Sequence, residues 1–416
     1  MFFFYQIVLI LLFLISPFVI IFRIIKNKED KKRFIEKFSI PTKKRIKGKL
    51  LWFHGASVGE ILSIIPLIKN YEKKKSIDQI LITTSTLSSS KVLKKYNFKK
   101  TVHQFYPIDQ SYLVNKFLKY WKPNFAIFIE SEIWPCMFLN IYRKKIPLIL
   151  LNARLTLKTF NRWIKFKNFS KNIFNKISIA FPQNLETKFF LKNLNVRKIK
   201  HIGNLKFIEN NIINTDKINN NLKVQLNKKN IWVASSTHLS EEIFCAKAHL
   251  LLKNRVKNLM TIIIPRHIHR VEDIVDEIKD LGLKVCLHSE KKNSLKNADI
   301  YIVDTFGETR KFHEIASTVF LGGSIIKRGG QNPLEAARYG AKILHGPNTD
   351  NFKDIYKYLR SLNNSKKIKT PNELANQIVF KKNKRIGKKI KNVGDKILKK
   401  TINVLNNLIK DEFKKT

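Results

Sequence analysis

The 416-residue chain is short of acid: 31 Asp and Glu stand against 80 Lys and Arg, for a formal net charge of +49 at pH 7. It has only three cysteines, Cys136, Cys245 and Cys286, and no Cys-x-x-Cys pair. That excludes a disulfide framework and a zinc ribbon, and it fits a reducing compartment. Its 14 glycines and 12 prolines are too few for a collagen-like or low-complexity chain, and no short-period repeat is present. What is present argues for folding: 44% of residues are hydrophobic and 11% aromatic, enough to bury a core despite the charge. The length suits two domains.

The basicity has two competing explanations. Lys far outnumbers Arg, and Asn, Ile and Phe abound throughout, as a genome poor in G and C would impose without selection. The remainder is attraction to something anionic: nucleic acid, a membrane surface or a phosphorylated substrate.

Charge is missing altogether from residues 2–22, and about 20 apolar residues suffice for a helix to cross the hydrocarbon core. No basic residue precedes this run, whereas Arg23, Lys26, Lys28, Lys31, Lys32 and Arg33 follow it. The positive-inside rule therefore places the rest of the chain in the cytoplasm. The basic n-region and small-residue cleavage site of a signal peptide are both lacking. Residues 2–22 are expected to be a membrane anchor that spans once or, kinked at Pro17, enters one leaflet.

Past the juxtamembrane stretch, apolar runs at 50–54, 79–84, 125–130, 147–152 and 177–182 alternate with helix-like segments, and a second series follows at 231–234, 261–265, 284–288, 300–304, 319–323 and 342–345. Such βα alternation implies a parallel sheet covered on both faces. The expected class is α/β, with two doubly wound, Rossmann-like domains facing a cleft behind the anchor. The expected boundaries are 46–207 and 230–385, with an Asn- and Lys-rich linker at 208–229 and a basic helix or tail at 386–416. A cleft between such domains is a default ligand site, because strand C-termini and helix N-termini face it.

Three stretches carry chemistry. In WFHGASVGE, residues 52–60, a strand runs through Gly-x-x-x-Gly into a helix. Ser57 with Glu60 makes a capping box, but Glu60 at a cleft edge also suits a general base. In FIESEIWP, residues 128–135, Glu130 and Glu132 fall on one side of an extended chain, fitted for acid-base or charge-stabilising work or for pairing with Arg154 or Lys206. In GGSIIKRGGQNPLEAARYG, residues 322–340, Asn332, Pro333 and Glu335 are ideal helix starters. Gly322, Gly323, Gly329 and Gly330 before them permit close approach of a ligand such as a nucleotide. Smaller clusters close other strands: ASSTH at 234–238, PRH at 265–267, where Arg266 suits a phosphate, and DTFGE at 304–308. His238 and His267 lack a partner at metal-ligand spacing, and no metal is expected.

Several uncommon strings in order, SVGE, ESEIWP, LNARLT, GNLKF, SSTH, PRH, DTFGE, GGSIIKRGGQNPLEAA and GPNTDNF, identify a resemblance running from the anchor to about Phe352. The chain resembles the 3-deoxy-D-manno-octulosonic acid (Kdo) transferases of Gram-negative lipopolysaccharide synthesis. The resemblance implies a GT-B glycosyltransferase with acceptor bound largely by the N-terminal domain and CMP-Kdo by the C-terminal one. It implies an inverting, metal-independent transfer of Kdo to the 6′-hydroxyl of a lipid A precursor (lipid IVA) at the cytoplasmic face of the inner membrane. CMP-Kdo then serves as donor substrate, without a separate cofactor. It puts the base at Glu60 and transition-state-stabilising groups at Glu130 and Lys206. The CMP-binding positions fall on Pro265, Arg266, Phe306, Gly307, Glu308, Asn332, Pro333, Leu334 and Glu335. The expected partners are CMP-Kdo, the lipid A precursor and inner-membrane lipid. Gln331 and Asn348 replace usual His residues, and His313 stands where Tyr is common; Gln and Asn keep hydrogen bonding but lose a titratable ring. The rival readings are a UDP-sugar enzyme of the same fold, an inactive scaffold, and a membrane-tethered RNA-binding protein. The last lacks any RRM or KH signature, and no nucleic acid is expected.

Overall fold

A computed structural model describes residues 2–208, 218–290 and 295–414, with the side chains of residues 2–4 and 296 left aside. It divides into two compact units, one made of residues 1–213 and 394–416, the other of residues 214–393.

The first unit is built on six strands: β1 (Leu50–His54), β2 (Gln79–Thr84), β3 (Thr101–Phe105), β4 (Phe125–Ile129), β5 (Leu148–Ala153) and β6 (Ile179–Pro182). All pair in parallel, in the order β3-β2-β1-β4-β5-β6. Strands β1, β2, β4 and β5 are buried at every position, as continuous apolar runs must be when helices cover both faces. The chain order reverses between β1 and β4, which makes that point the topological switch point of the sheet, where ligands bind in sheets of this class. The core beneath gathers Trp52, Phe117, Trp121, Phe128 and Phe138, all essentially inaccessible.

The helix Phe2–Ile25 is long and apolar enough to cross a membrane over Tyr5–Ile25. Tyr5 Oη donates to Asp109 (3.2 Å), Gln6 to Ser111 (2.9 Å), and Arg23 pairs with Glu29 (2.7 Å). Those contacts lay one stripe of the helix along the first unit and leave Leu11, Leu14, Phe18 and Phe22 exposed on the rest. Asp109 also accepts the Cys136 and Met137 N–H groups (3.0 and 2.8 Å). It thereby caps the helix Pro135–Arg143.

The second unit carries β7 (Asn230–Thr237), β8 (Leu259–Pro265), β9 (Val285–Leu287), β10 (Ile300–Ile302), β11 (Thr318–Leu321), β12 (Lys342–His345) and β13 (Ser365–Lys367). They form a parallel sheet in the order β13-β12-β11-β7-β8-β10-β9. Its switch point lies between β7 and β11. Of the expected linker, residues 209–217 lie outside the described residues, and Asn220–Asn227 is a helix. The helix Lys384–Phe413 runs from the second unit into the first. Gly394 lets it close on the chain, since a Cβ there would lie 2.3 Å from the Phe207 carbonyl oxygen, and Phe413 meets Phe125 ring to ring at 6.0 Å.

Two parallel-sheet α/β units of this kind are the architecture of GT-B glycosyltransferases, as expected. Two strands were not anticipated, β3 and β13. Each is a sheet edge, and the sequences TVHQF and SKK carry little of the apolar signal that marks interior strands.

Candidate active site

At the first switch point β1 ends at His54, and the chain turns through Gly55 and Ala56 into the helix Val58–Glu72. Ser57 takes the extended N-cap conformation, and its Oγ accepts the Glu60 N–H at 3.3 Å. Glu60 Oε2 accepts the Ala56 N–H (2.7 Å) and Oε1 the Ser57 hydroxyl (2.8 Å). The capping box therefore forms, with the carboxylate gripping the residue before the cap. The box also fixes Glu60, half-buried, in the first turn of the helix that follows β1 at the switch point. Burial pushes its carboxyl up to about 7, with Glu132 and then Glu130 adding to the rise and the bonds from Ser57 and Ala56 opposing it. Such a group can take a proton near neutrality.

Across the switch point, Glu130 follows β4 with φ of +56°, and Asn152, in β5, has φ of +53°. Both lie in the left-handed region, which non-glycine residues occupy only when the surroundings hold them there. The holding is visible. Lys206 Nζ lies 2.7 Å from Glu130 Oε1, with both side chains largely buried. The Asn152 amide reaches the same carboxylate oxygen at 3.5 Å, while its Oδ1 accepts the Leu205 N–H at 2.9 Å and seats the turn that carries Lys206. Of the two cations considered for Glu130, Lys206 is the ion-pair partner; Arg154 contributes its backbone N–H to the Glu130 carbonyl (3.3 Å).

The expectation that Glu130 and Glu132 share one side of an extended chain is corrected by that same positive φ, which turns the chain out of the strand. Glu132 bonds instead to His54 Nε2 (3.2 Å) and to the Trp134 indole N–H (2.9 Å).

In the second unit the loops after β7 and β11 meet at Glu241, a fully buried carboxylate opening the helix Glu241–Lys253. Its Oε2 accepts N–H groups of His238 (3.0 Å) and Gly323 (2.7 Å), and its Oε1 those of Ser324 (3.1 Å) and Ile325 (2.9 Å). Gly322 must be glycine, because a Cβ there would sit 2.4 Å from the Ser236 carbonyl oxygen. Burial lowers the proton affinity of the His238 imidazole, Glu241 opposes it, and His267, Arg328 and Arg266 push the same way as burial. Electropositive side chains thus gather where the glycine loop begins.

Pro265 closes β8 and is buried, while Arg266 is exposed and tied by its N–H to the Thr237 carbonyl (2.9 Å). Phe306 is 84% exposed, Gly307 has φ of +90°, and Glu308 pairs with Lys311 at 2.6 Å. Asn332 Oδ1 accepts the Leu334 N–H (3.1 Å) and starts the helix Leu334–Arg338, in whose first turn Glu335 lies half-buried; Pro333 and Leu334 are buried. Of the three unusual residues, the Asn348 amide donates to the Ser324 and Ile325 carbonyls (3.2 and 2.8 Å) and His313 Nε2 meets Ser235 Oγ (3.0 Å), while Gln331 accepts Tyr356 Oη on its backbone carbonyl (3.0 Å).

Glu60, Glu130 and Lys206 thus belong to the first unit and the nine residues from Pro265 to Glu335 to the second. Sequence reasoning passed over His54, Asn152 and Glu241. Glu241 had a signal, two adjacent acids opening a helix just after SSTH. The others act through partners distant in the chain.

Residues 32–209 match the family model described as 3-deoxy-D-manno-octulosonic-acid transferase (kdotransferase). The chain is 34% identical over 391 residues to a 3-deoxy-D-manno-octulosonic acid transferase of Rickettsia bellii, covering 93% of each chain. It is 36% identical over 335 residues to that of Rickettsia felis, covering 80% of this chain and 71% of the relative. Among solved structures it is similar to HepE of Anabaena in complex with UDP and glucose, with a TM-score of 0.53 at 13% identity over 88% of this chain and 100% of that one. At that identity the likeness is one of fold. With the Rickettsia relatives matched over most of their length, the chain belongs to the 3-deoxy-D-manno-octulosonic acid transferase family, which are glycosyltransferases.

Proposed function

We propose that this chain transfers Kdo from CMP-Kdo to the 6′-hydroxyl of a lipid A precursor, lipid IVA, with inversion at the anomeric carbon. The observation that carries the reading is Glu60: a carboxylate fixed at the mouth of the first switch point with its proton affinity near neutrality. Glu60 takes the proton of the primary hydroxyl as that oxygen bonds to the anomeric carbon. The bond from that carbon to the phosphate oxygen breaks on the opposite face, and CMP leaves with the electron pair. The Glu130–Lys206 pair, just past the end of β4, supplies fixed charge to the developing transition state.

On the donor side, Arg266 holds the leaving phosphate, Phe306 offers an exposed ring to the base, and Glu335 accepts ribose hydroxyls. An arginine can hold a phosphate without a metal. The apolar N-terminal helix and the basic residues after it hold the enzyme at the cytoplasmic face of the inner membrane, where an acylated, phosphorylated acceptor lies.

The test is transfer to a tetraacyl lipid A precursor in detergent, offered CMP-Kdo or a UDP-sugar and read by product mass. The reading requires a gain of one or more Kdo units from CMP-Kdo alone. Transfer from the UDP-sugar instead would replace it with the rival enzyme of the same fold.

A further inference from the structure

The helix Phe2–Ile25 does not stand clear of the first unit. The stripe turned toward protein runs Tyr5, Leu9, Phe13, Ser16, Ile20 and Arg23, spaced by three or four as one side of a helix must be. Tyr5 and Leu9 pack on the core of the unit, Phe13 meets Phe38 ring to ring at 6.2 Å, and Ile20 is only 5% exposed. Every side chain from Tyr5 to Arg23 that can hydrogen-bond falls on this side and has a partner. Tyr5 bonds to Asp109, Gln6 to Ser111 and Arg23 to Glu29, while Ser16 Oγ donates to the Phe13 carbonyl at 2.7 Å. That last bond carries the helix through Pro17, which has no N–H to give the carbonyl four residues back.

The opposite side is hydrocarbon throughout: from Ile7 to Phe22 every exposed residue is apolar, and the lysines that follow, Lys26, Lys28, Lys31 and Lys32, are exposed. The apolar surface also continues past Tyr5, whose ring meets Phe169 at 5.7 Å, and Phe169 stacks on Trp163 at 6.3 Å. Trp163 belongs to the helix Leu157–Ile164, which has no buried residue and exposes Leu157 and Ile164 beside Lys158, Arg162 and Lys165. Apolar side chains bordered by lysine and arginine suit the interface of an anionic leaflet. A crossing helix would have to carry its neighbours with it. Tyr5 and Arg23 are about 27 Å apart at a rise of about 1.5 Å per residue, close to the roughly 30 Å of a hydrocarbon core. Because the unit touches the helix at both ends and in the middle, crossing would either draw Asp109, Ser111 and Glu29 to membrane depth or break every one of these contacts.

We propose that the N-terminal helix lies flat in the cytoplasmic leaflet and does not cross the membrane: its Tyr5–Arg23 stripe stays on the first unit, its other side enters lipid, and the N-terminus remains on the side of the catalytic units. Of the two dispositions that the sequence allows, crossing once or entering one leaflet, the contacts favour the second. The inference rests on the reading that this helix holds the chain to the membrane. Its consequence is mechanical. A helix docked along its whole length sets the first unit against the bilayer surface, whereas a crossing helix would tether it only through the chain that follows Ile25.

The experiment places one cysteine on a short polar tag ahead of Met1 of the full chain, with Lys32→Cys as the reference for the cytoplasmic side. Cys136, Cys245 and Cys286 are buried and give little background. A membrane-impermeant maleimide is applied to inverted inner-membrane vesicles, cytoplasmic face outward, and to spheroplasts. The tag and the reference should both label in the inverted vesicles, and labelling of both should be lost in spheroplasts. A tag that labels only in spheroplasts overturns the proposal. Depth gives a second readout: Ile7→Cys, Leu14→Cys and Phe22→Cys each carry a fluorophore in vesicles of phosphatidylethanolamine and phosphatidylglycerol containing nitroxide lipids. All three should be quenched most by a nitroxide near the headgroup, whereas Leu14→Cys quenched most by a nitroxide at the acyl-chain end, with the other two shallow, overturns the flat disposition. Failure of the underlying reading looks different: the intact chain would not float with these vesicles at all.

Discussion

Glu241 offers a perturbation whose size follows from four distances. Its two carboxylate oxygens accept N–H groups of His238, Gly323, Ser324 and Ile325 at 2.7–3.1 Å, all in a fully buried setting. Glu241→Gln puts an amide NH2 where one oxygen was, so that two backbone donors face a third. Each charge-assisted bond lost costs about 1.5–3 kcal/mol, and relief of the buried charge offsets part of it, leaving a net effect of about 3 kcal/mol on the glycine loop. Because the chain has two units, a single unfolding transition is not a safe measure, so the readout is local hydrogen exchange. Amides of residues 323–325 should exchange roughly 100-fold faster if the loop loses that much stability against opening, and KM for CMP-Kdo should rise with it. Unchanged exchange in that peptide would refute the argument, because it would mean that the four bonds do not hold the loop.

Three further outcomes are expected. Lys206→Met should abolish transfer and destabilise the first unit by about 3 kcal/mol by leaving Glu130 buried without its cation; adding Glu130→Gln should recover stability but not transfer, as thermal melts and the mass assay would show. Arg266→Ala should raise KM for CMP-Kdo about tenfold, the worth of one charge-assisted phosphate contact, without altering the melting profile, since the side chain is exposed. Deleting residues 2–25 should release the enzyme from lipid vesicles in a flotation assay, because it removes the exposed row Leu11, Leu14, Phe18 and Phe22.

How much of this could be read in advance depended on how far the determining contacts lie along the chain. Leu50–His54, Gln79–Thr84 and Lys342–His345 were bounded correctly from sequence because an apolar run covered on both faces is its own signal. The cap at Ser57 and the helix start at Asn332 were legible because they are settled within three residues. By contrast, the left-handed turn at Glu130 is imposed by Lys206 and Asn152, both distant in sequence, and no local pattern predicts it. The same holds for Glu132, whose partner His54 is 78 residues away. Glu241 was overlooked because a glutamate at a helix start ordinarily serves its own helix, whereas this one binds a loop more than 80 residues on. The long final helix, whose spaced Ile, Val and Leu read as the packed side of a closing helix with a solvated basic face, buries Ile397, Leu405 and Ile409.

The most direct test of the account is Kdo transfer from CMP-Kdo to the tetraacyl precursor by the intact chain and by Glu60→Ala, followed across pH with CMP-Kdo binding measured alongside. Intact enzyme should gain activity as pH rises through about 7, where Glu60 loses its proton, and Glu60→Ala should bind CMP-Kdo yet transfer nothing at any pH. Near-normal turnover by Glu60→Ala would contradict the account and leave Glu60 as no more than the cap of its helix.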